Sequence, residues 1–300
     1  MHVWTAAERR RGRAATSVAG VSAPPERTLL AGGYRNQVWK VRAGRGWVIE
    51  KRYAEDPGEP NPMYPNLPDH EAAALALLGP HGWSPQLVAH EPGVVTYRFA
   101  AGPGWRARGR AGEMAEVAAL LGGIHGFTVP RTMRLLCGSA EEARAHGDSM
   151  VDAVPARLAA PLRAVRPAVA HDGLVRRRSL VHTDCGPGNM VRGRGGLLLI
   201  DWQCPGRGDP VEDIACFLSP AMMILYQQPP HTAAAQEAFL AAYPSTAAVA
   251  RYRRDALAWH YRIGGYCVWR AHRLARRQPE IAERYRRALA AEIEFMEGVS

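Results

Sequence analysis

The pattern of apolar and polar positions divides the chain into a first part that predicts strands and a second part that predicts helices. Before residue 100, short runs rich in valine, tyrosine and tryptophan alternate with Gly- and Pro-rich breaks, which is typical of strands joined by turns. An Ala- and Leu-rich stretch among them predicts one helix, which Asp69 can cap and Gly79-Pro80 can end. The strands are expected within 29–41, as two strands about a glycine turn, and at 46–53, 85–90 and 93–99.

From residue 112 onward, apolar residues recur at spacings of three and four, which indicates amphipathic helices. Strands first and helices later predict an α+β fold, with a small antiparallel sheet carrying one helix and a larger, mainly helical part. The expected helices are 112–125, two within 140–170, and 211–226, 232–242, 246–277 and 279–297.

Composition places the chain among globular proteins, with 300 residues, 47% apolar and 22% charged. Its five cysteines form no C-x-x-C pair, so zinc and redox motifs are not indicated and reduced thiols in a cytoplasm are the simplest interpretation. No apolar run approaches the length needed to cross a bilayer, and no signal-peptide h-region is visible. We therefore predict a cytoplasmic protein without a membrane partner.

The formal net charge of +10 invites a nucleic-acid interpretation. However, only Lys40 and Lys51 are lysine, and the arginines are scattered along the whole chain. Such a bias indicates a general compositional pressure rather than a binding patch, and no aromatic-studded basic motif accompanies it. We predict neither a nucleic-acid partner nor an obligate protein partner.

One stretch, residues 179–202, carries side chains suited to phosphoryl transfer. His182, Asp184 and Asn189 form an H-x-D-x-x-x-x-N pattern on a loop rich in Gly and Pro, and Asp201 ends the apolar strand that follows. Transfer from a magnesium nucleotide needs a carboxylate to orient the attacking hydroxyl and oxygen ligands for the metal. The alternative is a surface loop whose Asp and Asn side chains only stabilise turns.

This stretch resembles the catalytic and metal-binding motifs of the aminoglycoside phosphotransferase and choline kinase family, relatives of the protein kinases. The segment Gly208-Asp-Pro-Val-Glu-Asp-Ile-Ala215 resembles the family's G-D-P-x-x-D-[IL]-A signature. The resemblance implies Asp184 as catalytic base and Asn189 and Asp201 as Mg²⁺ ligands. It also implies a structural role for His182 and a buried, loop-bracing role for Asp213. The chain departs from the family at Thr183 and Cys185, which puts only the packing of the loop in question.

The same resemblance implies a protein-kinase-like two-lobe fold. We expect an Arg-rich N-terminal arm at 1–27, a nucleotide-binding N-lobe at 28–101 and a catalytic and substrate-binding C-lobe at 102–300. Lys51, in a V-x-x-K strand, would hold the nucleotide phosphates, and Glu71 would pair with it. The glycines of the first turn could cover the phosphates, although most such pairs are merely hairpin turns. The residues expected to bind nucleotide are Gly32, Gly33, Asn36, Lys51, Glu71, Arg98 and Phe99, the last two at the hinge beside adenine.

The acceptor is less well defined by the sequence. Tyr252, Trp259, Tyr266 and Trp269 share one helix face, and form either an aromatic box for a quaternary ammonium group or ordinary core. From residue 201 onward the chain has 12 arginines and 11 acidic residues, whereas a polycationic aminoglycoside calls for an acidic site. An aminoglycoside is therefore possible but not favoured over a sugar, an amino alcohol or a thiamine-like metabolite.

Together these features predict a small-molecule kinase that uses ATP, or GTP, which is not excluded, with Mg²⁺ to phosphorylate a hydroxyl group. Two alternatives come from other classes. A pseudokinase would bind nucleotide without turnover, and a basic nucleic-acid-binding protein would bind RNA or DNA with steep salt dependence.

Overall fold

A computed structural model describes residues 26–32, 36–54, 61–106, 111–169, 175 and 178–299. The predictions for most of the N-terminal arm and for Gly33 fall outside these described residues. Among the residues described, none of the helices combines the length and apolar character needed to cross a bilayer.

The first part of the chain forms a five-stranded antiparallel sheet in the order β1-β2-β3-β5-β4. In strand β3 the buried residues Ile49 and Lys51 share one face, so an apolar side chain and a cation lie side by side there. The helix α1 packs against β4 and β5, where its buried leucines cover the sheet. The elements are β1 Arg27–Gly32, β2 Gln37–Ala43, β3 Gly46–Arg52, α1 Pro68–Leu78, β4 Leu87–Glu91 and β5 Val94–Arg98.

Helix α1 begins differently from the sequence prediction. Leu67 occupies the N-cap position without a side-chain hydrogen bond, and Pro68 opens the helix because its missing N–H costs nothing there. The prediction that Asp69 caps α1 is therefore wrong. The Asp69 carboxylate instead lies 3.0 Å from Nε2 of His90 on β4.

The second part is mainly helical and is built around α8, a 29-residue helix that packs against α3, α5 and α9. The stretch 211–226, predicted as one helix, is two helices, because Ser219 caps a new helix that starts with Pro220. The helices are α2 Ala111–His125, α3 Ala140–Asp152, α4 Ala156–Ala164, α5 Val211–Leu218, α6 Pro220–Leu225, α7 Ala233–Ala242, α8 Thr246–Leu274 and α9 Pro279–Val299.

Two short antiparallel ribbons lie between α4 and α5 and carry the stretch singled out by its chemistry. Strand β6, Ser179–Val181, pairs with β9, Gly206–Gly208. Strand β7, Met190–Gly193, pairs with β8, Gly196–Leu199. The sheet followed by helices gives the predicted α+β class, whereas the lobe boundaries at residues 27 and 101 stay predictions.

Candidate active site

The loop after β6, residues 182–189, is held by one buried carboxylate. Asp213 at the start of α5 accepts hydrogen bonds from the backbone N–H groups of His182 and Thr183, both at 2.8 Å. It also accepts one from Nε2 of His125 at 3.0 Å. Thr183 has φ +72°, which is a strained conformation for a β-branched residue, so the carboxylate stabilises backbone that would not adopt this shape unaided.

His182 connects this loop to the strand that follows it. Its buried ring lies between the backbone N–H of Asp184, 3.2 Å from Nδ1, and the carbonyl of Ile200, 3.0 Å from Nε2. These partners require a neutral ring that accepts at Nδ1 and donates from Nε2. Burial lowers the pKa of His182, which agrees with that neutral state. The ring therefore sets the spacing between the loop and the end of β8.

The departures at Thr183 and Cys185 leave the loop well packed. Both residues are buried, and the Thr183 hydroxyl donates to the carbonyl of Cys204 at 3.2 Å. The Cys185 thiol donates to the carbonyl of Asp213 at 3.1 Å. Both side chains thus have partners in the surrounding structure.

The half-buried Asp184 carboxylate meets a tyrosine that the sequence did not indicate. The hydroxyl of Tyr226, which follows α6, donates to Oδ1 of Asp184 at 2.7 Å. Burial raises the pKa of Asp184 to about 7, although the Tyr226 hydrogen bond opposes the rise. A carboxyl group with this pKa can both accept a proton and release it near neutrality.

Asn189 and Asp201 are brought together by the β7–β8 hairpin. The Ile200 N–H donates to the carbonyl of Asn189 at 2.8 Å, which places Asp201 beside the end of the loop. Asp201 has φ +63° and its side chain remains 42% exposed. An amide oxygen and a carboxylate are hard oxygen donors, and Mg²⁺ needs only one or two such protein ligands when phosphates supply others. The pair therefore fits a magnesium–nucleotide site.

Lys51 projects from the sheet and meets carboxylates from both parts of the chain. Its Nζ lies 2.5 Å from Oδ1 of Asp201 and 3.1 Å from Oε2 of Glu71 on α1. Burial alone would lower the pKa of Lys51, but the two carboxylates outweigh it and raise that pKa well above its usual value. Burial also opposes ionisation of Asp201, yet Lys51 holds the pKa of Asp201 below its usual value. The ammonium therefore remains charged and faces the oxygen ligands.

The remaining residues predicted to bind nucleotide are placed less directly. Gly32 ends β1. The buried amide of Asn36 exchanges two 3.0 Å hydrogen bonds with Asn66.

At the predicted hinge, the N–H of Arg98 donates to the Gln86 carbonyl at 2.8 Å, and that of Phe99 donates to the Trp47 carbonyl at 3.0 Å. Both N–H groups are thus used within the protein, and the assignment of Arg98 and Phe99 to the nucleotide stays a prediction.

A small cavity with room for about one water molecule lies under the loop, between α5 and α8. Trp259 lines this cavity. The Tyr252 hydroxyl donates to buried His260 instead, and Tyr266 stacks on Trp269 with ring centroids 5.9 Å apart. The four aromatic residues therefore do not form one box.

Within the described structure, Oε2 of buried Glu212 has no hydrogen-bond partner, and Glu212 lines the cavity. The lining residues are Met63, Tyr64, Thr183, Glu212, Ala215, Cys216, Trp259, Arg262 and Ile263.

The chain resembles known phosphotransferases in sequence pattern and in fold. Residues 26–253 match the family model described as "Phosphotransferase enzyme family". No curated protein sequence matches the chain. Three solved structures share its fold at low identity, which shows the fold alone.

The first is a choline/ethanolamine kinase family protein from Mesorhizobium loti, with TM-score 0.59, 19% identity and 93% of this chain and 94% of that chain covered. The second is a choline kinase from Streptococcus pneumoniae, with TM-score 0.60, 18% identity and coverage of 90% and 93%. The third is a spectinomycin phosphotransferase in complex with ADP and spectinomycin, with TM-score 0.57, 14% identity and coverage of 90% and 93%. The predicted protein-kinase-like fold is confirmed, and the chain belongs to the phosphotransferase enzyme family.

Proposed function

We propose that this phosphotransferase is a kinase that moves the γ-phosphate of ATP to a hydroxyl group of a small molecule. The observation that carries the proposal is the contact between Lys51 and Asp201, 2.5 Å apart, on the side of the hairpin where Asn189 also lies. An ammonium group and hard oxygen donors facing one another are what a magnesium–triphosphate requires. GTP would satisfy the same contacts and is retained as an alternative donor.

The chemistry divides among few side chains. Asp184 accepts a hydrogen bond from the acceptor hydroxyl and takes its proton as the acceptor oxygen bonds to the γ-phosphorus. The bond from that phosphorus to the β–γ bridging oxygen breaks, and ADP leaves. Lys51, held by Glu71, contacts the phosphates. Asn189 and Asp201 would hold Mg²⁺, which neutralises charge on the phosphates when bound.

The acceptor is proposed to enter beside Asp184, above the cavity that Thr183 and Trp259 line. Choline kinases and a spectinomycin phosphotransferase share the fold, so a choline-, thiamine-, sugar- or aminoglycoside-like acceptor is in keeping with the comparisons. That cavity is too small to hold such a molecule, so the acceptor would lie over it, against Asp184.

The test is ADP formation from Mg-ATP in the presence of a panel of hydroxyl-bearing metabolites from these four classes. Wild-type enzyme is expected to form ADP only with an accepted metabolite, together with a phosphate monoester of that metabolite. Asp201→Asn is expected to abolish this, whereas Asp209→Asn, which alters an aspartate paired with Arg251 away from the metal ligands, should retain turnover. Nucleotide binding without turnover across the panel would favour a pseudokinase. Tight, salt-sensitive RNA binding would favour the nucleic-acid alternative.

A further inference from the structure

Tyr226 touches both the proposed base and a proposed metal ligand through one oxygen atom. Its hydroxyl donates to Oδ1 of Asp184 at 2.7 Å and accepts from Nδ2 of Asn189 at 2.8 Å. The side chain is 5% exposed, so water does not compete freely for these bonds. No sequence pattern grouped Tyr226 with them, since it follows Asn189 by 37 residues and lies at the C-terminal end of α6.

The loop is shaped to receive the tyrosine ring. Gly186 and Gly188 lie along opposite edges of the ring, and a Cβ at these positions would come within 2.0 Å and 2.3 Å of ring carbons. No side chain other than hydrogen is compatible with that approach. The two glycines between Asp184 and Asn189 are therefore matched to an aromatic ring supplied by another part of the fold.

The position of Tyr226 is also fixed from the other side. Ser219 caps the N-terminus of α6. Its hydroxyl and the Ala221 N–H both donate to Oε2 of Glu292, at 2.7 Å and 2.9 Å. Glu292 belongs to α9 and is fully buried. The Tyr226 N–H closes the helix on the Met222 carbonyl at 3.0 Å. A rigid helix, anchored by a buried carboxylate, thus delivers the phenol to the loop.

The hydrogen bonds of the Asn189 amide show how Tyr226 orients it. The Asn189 amide has two protons, and they go to the Asp184 carbonyl at 2.8 Å and to the Tyr226 hydroxyl at 2.8 Å. The phenol proton goes on to Asp184, so the bonds run in one direction from amide to phenol to carboxylate. A flipped amide would turn its oxygen toward two groups that cannot both donate to it. The amide oxygen is therefore kept facing away from the tyrosine.

We propose that Tyr226 is a positioning residue for phosphoryl transfer, which orients the Asn189 amide so that its oxygen is presented to the metal and ties that amide to Asp184. The inference rests on the proposed function, because it assigns Asn189 to the metal. Hydrogen bonds from neighbouring residues orient the side chains that bind a metal ion. Loss of such a hydrogen bond commonly reduces metal affinity about 10- to 100-fold. Tyr226 therefore acts through Asn189 and Asp184 rather than on the transferred phosphoryl group.

The test is Tyr226→Phe, which keeps the ring between the two glycines and removes only the oxygen. The affinity of the ADP-bound protein for Mn²⁺, measured by electron paramagnetic resonance, is expected to fall about 10-fold. ADP affinity without metal should stay at the wild-type value, and kcat should fall with no change in the acceptor KM. Tyr261→Phe is the matched control, since it removes the oxygen of a buried tyrosine that donates to another carboxylate, Asp148 on α3. It should leave Mn²⁺ affinity unchanged.

Equal Mn²⁺ affinity in wild type and Tyr226→Phe would overturn the inference while leaving the proposed function intact. A lower acceptor KM with unchanged kcat would also overturn it, because the phenol would then be competing with the acceptor hydroxyl for Asp184. A wild-type protein that binds neither Mn²⁺ with ADP nor Mg-ATP would overturn the proposed function and the inference with it. Melting temperatures of the two variants, compared with each other, separate a folding defect from the metal effect.

Discussion

Replacing Asp213 with asparagine removes the charge that holds the catalytic loop. The carboxylate accepts three hydrogen bonds, from the N–H groups of His182 and Thr183 and from the His125 ring. Asparagine is nearly the same size but keeps a single acceptor oxygen. Its NH2 group would face one of the backbone N–H groups, and that N–H would lose its partner in a fully buried site.

The size of the effect follows from these contacts. A hydrogen bond to a charged group contributes about 1.5–3 kcal/mol, and removing one partner of a buried ionic contact costs about 3–5 kcal/mol. With at least one bond lost and the His125 contact weakened, we expect the free energy of unfolding to fall by about 4 kcal/mol. Displacement of the loop should also lower kcat, about 100-fold for a shift near 1 Å.

The assay is urea denaturation at pH 7 followed by tryptophan fluorescence, since buried Trp202 lies 4.4 Å from the His182 ring and reports on the loop. Asp209→Asn is the matched control from the same motif. Asp209 is likewise buried and is paired bidentately with Arg251, so Asp209→Asn should also lose about 3 kcal/mol. It should keep most of its kcat, because the Asp209 carboxylate bonds Arg251 and Val211 rather than the catalytic loop.

The pH dependence provides a second check on Asp213. Burial opposes its ionisation, yet the hydrogen bonds from His125 and the backbone hold the pKa of Asp213 below its usual value. Its stabilising contribution is therefore present above the unfolded pKa of about 3.9 and is lost as the pH falls through the folded pKa. Asp213→Asn should lack this part of the acid transition. Equal losses of kcat in the Asp213 and Asp209 variants would refute the assigned role of Asp213.

Three further outcomes are expected. Lys51→Met should weaken Mg-ATP binding about 10-fold or more by calorimetry, whereas Lys40→Met, which removes an ammonium 4.2 Å over the Phe99 ring, should have a much smaller effect. Gly188→Ala should lower both melting temperature and kcat, because its Cβ would collide with the Tyr226 ring, while Gly195→Ala meets open space and should be neutral. Burial, with Arg262 beside it, lowers the pKa of His146 to about 3, so the unfolded chain binds that proton first as the pH falls. Stability should therefore decline from about pH 6.5 downward, and His146→Gln should flatten that decline in denaturation experiments.

Much of the candidate site is local in sequence, which is why its pattern could be interpreted without a structure. Asp184 and Asn189 lie on one loop, and the hairpin that returns Asp201 is specified by two short apolar strands with a Gly-rich turn. The Lys51–Glu71 pair was also expected, but from the resemblance to the family rather than from the strand and helix themselves. Hydrophobic periodicity likewise placed most of the helices and all five strands of the sheet.

The contacts that sequence reasoning missed all join distant segments. Tyr226 reaches the loop only because the predicted helix 211–226 breaks at Ser219, where Glu292 from α9 completes the new helix start. The glycines at 186 and 188 were the available signal, since they indicate close approach by another group. Asn36 was assigned to the nucleotide because the sequence from Gly33 to Trp39 resembles the family's nucleotide-covering loop. Its amide partner, Asn66, lies in a Pro-rich stretch with no periodic pattern to place it.

Asp184 is assigned to the transfer step rather than to nucleotide binding, and single-turnover kinetics of Asp184→Asn separate the two roles. With enzyme in excess over Mg-ATP and a saturating acceptor, we expect an unchanged ATP dissociation constant. Phosphate-ester formation should slow about 100- to 10,000-fold, the range expected when a general base is lost. An Asp184→Asn variant that forms the phosphate ester at the wild-type rate would show that Asp184 is not the base of the transfer step.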